Sequence, residues 1–246
     1  MKLAVVALAG AMLLLDSQAR ADMLGLTLTA DVAKLGLSGR AGDHGFSQPL
    51  QFSDDSWQSG SISFEHPLPL IPNIAVRRQS ATWAGRTELS ALLQLDQIGY
   101  GRQSTIRNSL DLQSTEVNLY YELLDHSLLS FDAGISALVY DIALAVAEPE
   151  KRRGASGILP LVSAHLTVPL WGIDSAVFWQ GNYSNYRDQR WTESKIGFSY
   201  QMVDLKFFSA AVKLGWQEQS VALINRDRLD LDFQMTGPFL ALEADF

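Results

Sequence analysis

Apolar residues recur at every second position along most of this chain. Leu26, Leu28, Ala30 and Val32 alternate with Thr27, Thr29 and Asp31, and Ile196, Phe198 and Tyr200 repeat the pattern. A period of two marks a strand with one greasy face and one polar face. Ten segments read as such strands: 23–37, 57–66, 74–83, one ending over 117–123, 129–139, 158–168, one reaching 186, 191–201, 205–223 and 229–246. Their connections alternate in length. Those over 39–56, 84–109 and 147–157 are long, and those at 66–73, 125–127, 169–172 and 203–204 are short. Long loops at one end, short turns at the other and strands apolar on one face describe a transmembrane β-barrel. The expected fold is all-β, an antiparallel transmembrane β-barrel of about ten strands with both termini periplasmic. Two of the outer connections are short. Two strands could therefore form a hairpin above the membrane, which leaves eight strands as the alternative.

The two ends of the sequence agree with a barrel in the outer membrane of a Gram-negative cell. Met1-Lys2 is followed by an uncharged apolar run over 3–15, and small residues stand at Ala19 and Ala21. That order reads as a signal peptide over 1–21, cleaved after Ala21, with a barrel domain over 22–246. The apolar run is too short to span a bilayer, which takes about 20 residues. At the other end Leu240, Leu242, Ala244 and Phe246 share one strand face, with Glu243 and Asp245 on the other. A terminal strand that stops on an aromatic residue resembles the signal read by the barrel-assembly machinery.

Composition narrows the function classes. Cysteine is absent, which excludes disulfide scaffolds, thiolate metal sites and a cysteine nucleophile. Without residues 1–21 the chain has 17 basic and 26 acidic residues, a net charge of −9. Nucleic acid is a poor partner for that balance. Residues 154–173 lack charge over a membrane-spanning length, but Pro160 and Pro169 interrupt them and Ser163, His165 and Thr167 alternate. Proline inside a helix costs about 3 kcal/mol, so a strand is expected there. No phosphate-binding glycine loop, HExxH or EF-hand pattern occurs, and no cofactor is expected.

Three details of the register need structural answers. Arg77 and Arg78 are adjacent, so one of them must face outward. The apolar parity flips beyond Tyr140, which reads as a bulge or the end of the membrane-embedded part, and again at Gly237-Pro238, which reads as a bulge. Trp57, Trp83, Tyr140, Tyr186 and Trp191 fall where strands meet outer loops, and Phe64, Tyr121, Phe131, Trp171, Tyr200 and Phe246 near the turn side. Together they read as two interfacial girdles.

Residues 64–73 read FEHPLPLIPN and residues 119–125 read LYYELLD. With a leader and a final Phe, these motifs resemble an uncharacterised family of small proteobacterial outer-membrane β-barrel proteins. The resemblance implies fold and location over the whole mature chain. It implies no activity, substrate or cofactor.

By this register the lumen holds Asp31, Glu65, Arg77, Glu116, Glu122, Asp132, His165, Glu193, Lys195, Lys213 and Glu243. Two readings follow: a polar plug of paired charges, or a narrow cation-favouring pore. The outer loops carry most of the basic residues. Lys151, Arg152 and Arg153 are candidates for contact with lipopolysaccharide phosphates, since guanidinium forks suit phosphate. A rim hydrolase acting on protein or lipid A is the enzymatic alternative, with Asp43, His44, Asp54 and Asp55 in one loop and Ser163 and His165 on one strand face. Neither spacing matches a known catalytic motif, so an enzyme is not the expectation.

Overall fold

The computed structural model describes residues 25–53, 55–68, 70–147, 150–205 and 207–246. The expected leader and its cleavage site lie outside the described residues. The chain runs through β1 (Gly25–Asp43), β2 (Gln48–Gln51), β3 (Asp55–Glu65), β4 (Asn73–Glu88), β5 (Leu93–Leu95), β6 (Ile98–Tyr100) and β7 (Thr105–His126). It continues through β8 (Leu129–Ala147), β9 (Lys151–Leu170), β10 (Ser175–Tyr186), β11 (Gln189–Leu205), β12 (Phe208–Arg226) and β13 (Leu229–Asp245). All but β2, β5 and β6 form an antiparallel meander, and β13 pairs back with β1. The result is a closed ten-stranded barrel without a free sheet edge. The eight-strand alternative is set aside.

The strands run much farther than their membrane-facing parts. β7, β8 and β9 have 22, 19 and 20 residues, whereas a tilted strand crosses a bilayer in about 9–11. The expected long loop over 147–157 is therefore a correction: β8 continues to Ala147 and β9 begins at Lys151. Charged residues there read as loop by composition, yet a strand standing in water can carry them on its outer face. β1 likewise extends to Asp43. β3 is short at this loop end, and residues 48–53 fill the gap it leaves. β2 pairs with β1 through Ser38–Gln51 and Ala41–Gln48, while Ser53 N–H and Oγ both donate to the Ala84 carbonyl on β4.

β9 forms although it carries two prolines. β10 pairs with it only over 162–170, so Pro160 sits where the missing N–H has no β10 partner to satisfy. Its other neighbour is Ala137 of β8.

Neither flip is a bulge, and at Tyr140 the continuous ladder fits the alternative, a membrane-embedded part that ends there. The β8 ladder with β9 is continuous from Ser130 to Val146, and β12–β13 shows no register shift at Gly237. What changes is the chemistry of the inner face. Along β8 the inward residues read Ser130, Asp132, Gly134 and Ser136, then Leu138, Tyr140, Ile142, Leu144 and Val146. β13 changes in the same sense, from Asp245 and Glu243 to Phe239, Met235, Phe233, Leu231 and Leu229. The apolar stripe moves from outside to inside because lipid faces the lower wall and a packed core fills the upper lumen. The register shifts that do occur, at Glu122/Leu124, Gln201/Val203 and Leu223/Arg226, lie near strand ends.

The aromatic girdle at the turn end is present, with Phe64, Tyr121, Trp171, Tyr200 and Phe246 exposed on the outside. The girdle expected at the loop end is a correction. Trp57, Trp83 and Trp191 are 0% exposed and Tyr140 is 1% exposed, all inside the barrel; only Tyr186 faces out. Outward aromatics above the belt are instead Trp179, Tyr183 and Trp216.

Candidate functional site

The turn-end half of the lumen is a polar vestibule of about 490 Å³. Eight of the eleven expected lumen residues line it: Asp31, Glu65, Arg77, Asp132, His165, Lys195, Lys213 and Glu243. Glu116 and Glu193 stand behind its wall against Arg77, and Glu122 lies at the mouth, where it accepts from Asn73 Nδ2 at 2.9 Å. Asp245 and Tyr120, on the same inner faces by alternation, are not among the eleven: Asp245 accepts from Thr27 and Ser209 at 2.7 and 2.8 Å, and Tyr120 donates to Glu65 at 2.8 Å.

Arg77 resolves the adjacent-arginine question by pointing inward, while Arg78 is exposed and donates to Thr115 and Gln113. The Arg77 guanidinium reaches across the lumen from β4 to β11. Its two terminal nitrogens meet both oxygens of Glu193 at 2.5 and 2.6 Å, and Nη2 also donates to Glu116 at 2.7 Å. A planar fork bridging two carboxylates is a task lysine cannot perform. Lys195 pairs with Asp31 at 3.4 Å and lies 4.8 Å from the Trp57 ring centroid. Ser59 donates to the same Asp31 at 2.9 Å, and Asn182 to Glu116 at 3.3 Å. Nearer the mouth Lys213 pairs with Glu243. Burying charges is costly unless each is paired and hydrogen-bonded, and this layer meets that condition.

Above the ionic layer the expected polar plug gives way to a different filling. First come three buried glutamines, Gln79, Gln217 and Gln219, whose side-chain amides have no hydrogen-bond partner among the described residues. Then comes a dry core. Trp57, Trp83, Trp191 and Tyr140 are packed with Leu35, Leu110, Leu112 and Leu138, all at or below 1% exposure. Trp83 Nε1 donates to the Leu35 carbonyl at 2.9 Å, and Tyr140 OH donates to Gln189 at 2.5 Å. Each buried Trp removes roughly 200 Å² from water, on the order of 5 kcal/mol before entropy is counted. This core fills the loop-end half of the lumen.

A small hairpin caps the core. β5 and β6 bring Leu93 and Leu95, both fully buried, onto the loop end beside Leu89. Their turn is a two-residue type I′ with Asp96 at φ 52° and Gln97 at φ 64°, neither of them glycine. The Asp43 carboxylate holds it by accepting the N–H groups of Asp96 and Gln97 at 3.2 and 3.1 Å. Arg153 lies 3.4 Å from Asp43 and 2.8 Å from Asp96, and Lys151 lies 3.4 Å from Asp96. Two of the three candidate lipopolysaccharide residues are thus engaged in holding the cap. The third, Arg152, faces outward and pairs with Asp111 at 3.1 Å.

The candidate catalytic groups are dispersed. Asp43 serves the cap, while His44 Nδ1 meets Asp230 at 2.9 Å on the exposed rim. Asp54 and the Asp55 side chain lie outside the described residues. Ser163 Oγ donates to Asn118 at 2.9 Å, not to a histidine, and His165 lies 3.5 Å from Asp132. The terminal strand closes the barrel: Leu240, Leu242 and Phe246 face outward, and Phe246 exchanges backbone hydrogen bonds with Leu26.

No protein-family model matches this sequence, and no curated protein matches it. Among solved structures the chain is similar to the outer membrane protease OmpT of Escherichia coli, with 12% identity, 89% of this chain and 97% of that one covered, and a TM-score of 0.47. It is similar to Ail, the attachment invasion locus protein of Yersinia pestis, in complex with the heparin analogue sucrose octasulfate, with 9% identity, 92% and 100% coverage and a TM-score of 0.40. A third is the transport unit of the autotransporter AIDA-I from Escherichia coli, with 11% identity, 98% and 95% coverage and a TM-score of 0.41. These likenesses concern the fold of outer-membrane β-barrels and nothing finer.

Proposed function

We propose that this protein is a non-conducting barrel of the outer membrane that works by binding at the cell surface, neither passing solutes nor catalysing a reaction. In this reading the short turns and the vestibule face the periplasm, and the loop end projects outside. The strand bearing Leu240, Leu242, Ala244 and Phe246 is the segment the assembly machinery recognises. The observation that carries the reading is the core of Trp57, Trp83, Tyr140 and Trp191 across the outer half of the lumen. A pore needs a continuous polar path, and here the vestibule ends against side chains that exclude water.

Against a rim hydrolase, Ser163 and His165 do not meet, and the Asp43 carboxylate is committed to backbone N–H groups. The test is electrical. The protein reconstituted in a planar bilayer shows no steady single-channel openings under this reading, and liposomes carrying it do not swell in small sugars. Steady openings with cation selectivity would reinstate the pore.

A further inference from the structure

Two opposite charges stand on the outer wall just above the apolar belt without meeting. Arg78 of β4 and Asp141 of β8 line one groove of about 400 Å³, with Thr115 and Gln113 of β7 between them. Both face outward and are exposed. The Arg78 guanidinium donates only to neutral partners, Thr115 at 3.4 Å and Gln113 at 3.3 Å. Asp141 has no ion-pair partner among the described residues. Gln113 is the direct ladder partner of Asp141. Side chains so placed are neighbours on the sheet face, so a single side chain separates the cation from the anion.

The strand register gives their heights. From Val32 of β1 the ladder partners run through Gln58, Ser80, Gln113 and Asp141 to Ser156 of β9. The other way round they run through Leu240, Leu214, Phe198 and Val177 to Val168 of β9. The two ends lie twelve residues apart on one strand, with Ser156 nearer the loop end. Twelve residues over ten strands is a tilt of about 40°, so each step from β4 toward β9 climbs about 3 Å toward the loop end. Arg78 is the first outward residue above Val76, which continues the belt into its partners Val117 and Ala137. Asp141 stands two strands and two residues farther on, about 11 Å above Arg78 at the Cα atoms. The order up the wall is therefore apolar surface, then cation, then anion. A lipid whose chains lie against the belt presents its phosphate first. An ethanolamine headgroup adds an ammonium two carbons beyond it. We infer that Arg78 and Asp141 hold the phosphoethanolamine headgroup of a membrane glycerophospholipid, the phosphate on the Arg78 fork and the ammonium on the Asp141 carboxylate. Val139 and Ile158 border the same groove as exposed apolar side chains above the line of the belt, and the headgroup methylenes cover them. Asp141 beside the arginine disfavours headgroups that carry further negative charge. Neither the direction of the loop end nor the closed lumen enters this assignment.

The experiment is native mass spectrometry of the delipidated, detergent-solubilised barrel, offered phosphatidylethanolamine and phosphatidylglycerol with the same acyl chains in equal amounts. The wild-type protein retains phosphatidylethanolamine as its first adduct at least fivefold more often. Arg78→Gln lowers that adduct at least fivefold. Asp141→Asn keeps lipid on the protein but brings the two headgroups to parity, because the phosphate partner remains and the ammonium partner has lost its charge. Glu218→Gln, an outward acid above the belt on β12, leaves the preference as it was. All three substitutions lie on the exposed wall, and heat-modifiable gel mobility checks that each barrel is folded. Equal adducts in the wild type, a preference that survives Asp141→Asn, or an adduct unchanged in Arg78→Gln overturns the site. Lipid A without phosphoethanolamine, bound as well as phosphatidylethanolamine and displaced by it, overturns the headgroup assignment. Channel openings in a bilayer would sink the non-conducting reading and leave this result standing.

Discussion

Arg153 of β9 and Asp43 of β1 meet above the packed core, with Nε 3.4 Å from Oδ1. The same carboxylate accepts the Asp96 and Gln97 N–H groups. One acidic side chain therefore ties the cap hairpin to the wall and supports a turn whose two central residues both have positive φ. Asp43→Ala leaves those N–H groups without their acceptor, at a cost of about 1–3 kcal/mol. The loss is local. Hydrogen exchange at Asp96 and Gln97 accelerates, and limited proteolysis cuts within 93–100, while the heat-modifiable gel mobility of the barrel is retained. Asp43→Asn keeps an acceptor but loses the charge, so it falls between. Unchanged exchange in both variants would show that the cap is held without Asp43, by Leu93 and Leu95 and by the contacts of Lys151 and Arg153 with Asp96.

The ionic layer makes a larger and global prediction. Arg77→Met strands Glu116 and Glu193 in a buried space with one fewer cation. Breaking a buried pair in this way costs about 3–5 kcal/mol. The urea midpoint of the folded barrel in detergent falls accordingly. Adding Glu116→Gln and Glu193→Gln to Arg77→Met recovers most of the loss, because neutral partners no longer need the guanidinium. If the triple variant is no more stable than the single one, the cost lies in lost packing and not in uncompensated charge.

Gln217 gives a prediction of the opposite sign. It is fully buried, and neither amide atom has a hydrogen-bond partner among the described residues. Leucine has a similar volume and no polar atoms to satisfy. Gln217→Leu is expected to stabilise the barrel by about 1–3 kcal/mol, read as a higher thermal midpoint of heat-modifiability. A lower midpoint would mean that internal water bridges this amide to its neighbours.

Much of this was legible because a strand exposes its two faces alternately. Asp31, Arg77, Glu193 and Lys195 were all placed inward from spacing alone. Arg78 was the misfit that had to face outward or snorkel once Arg77 took the lumen. What misleads the placement of the aromatics near the outer loops is the assumption that apolar means outward along the whole strand. That holds only where lipid covers the wall. Beyond Leu138 on β8 and Gly237 on β13 the outside is water and the inside is core, so the same alternation reverses its meaning. Holding parity fixed through Tyr140, and letting the chemistry change, would have placed Trp57, Trp83 and Trp191 inside. The cap was illegible for a different reason. Its anchor, Asp43, lies some fifty residues from the turn it holds, and no local pattern joins them.

Gly237 is one of two glycines, with Gly39, whose missing side chain lets the first and last strands approach closely where the barrel closes. Between Ala33–Phe239 and Gly36–Thr236 the first and last strands pass each other with Gly237 against Lys34. A β-carbon on Gly237 would lie 2.0 Å from the Lys34 carbonyl oxygen. Backbone cannot step aside as a flexible side chain can, so the two strands must separate there. Gly237→Ala costs at least the 1–3 kcal/mol typical of overpacking, and it acts where the sheet closes on itself. The expected result is a lower yield of compact, heat-modifiable barrel on refolding and faster hydrogen exchange in β1 and β13 than in β7 and β8. Gly101→Ala is the control, since nothing lies within 4 Å of its added carbon. Equal refolding yields for the two variants would show that the strand pair tolerates the methyl group, and would remove Gly237 from the account of closure.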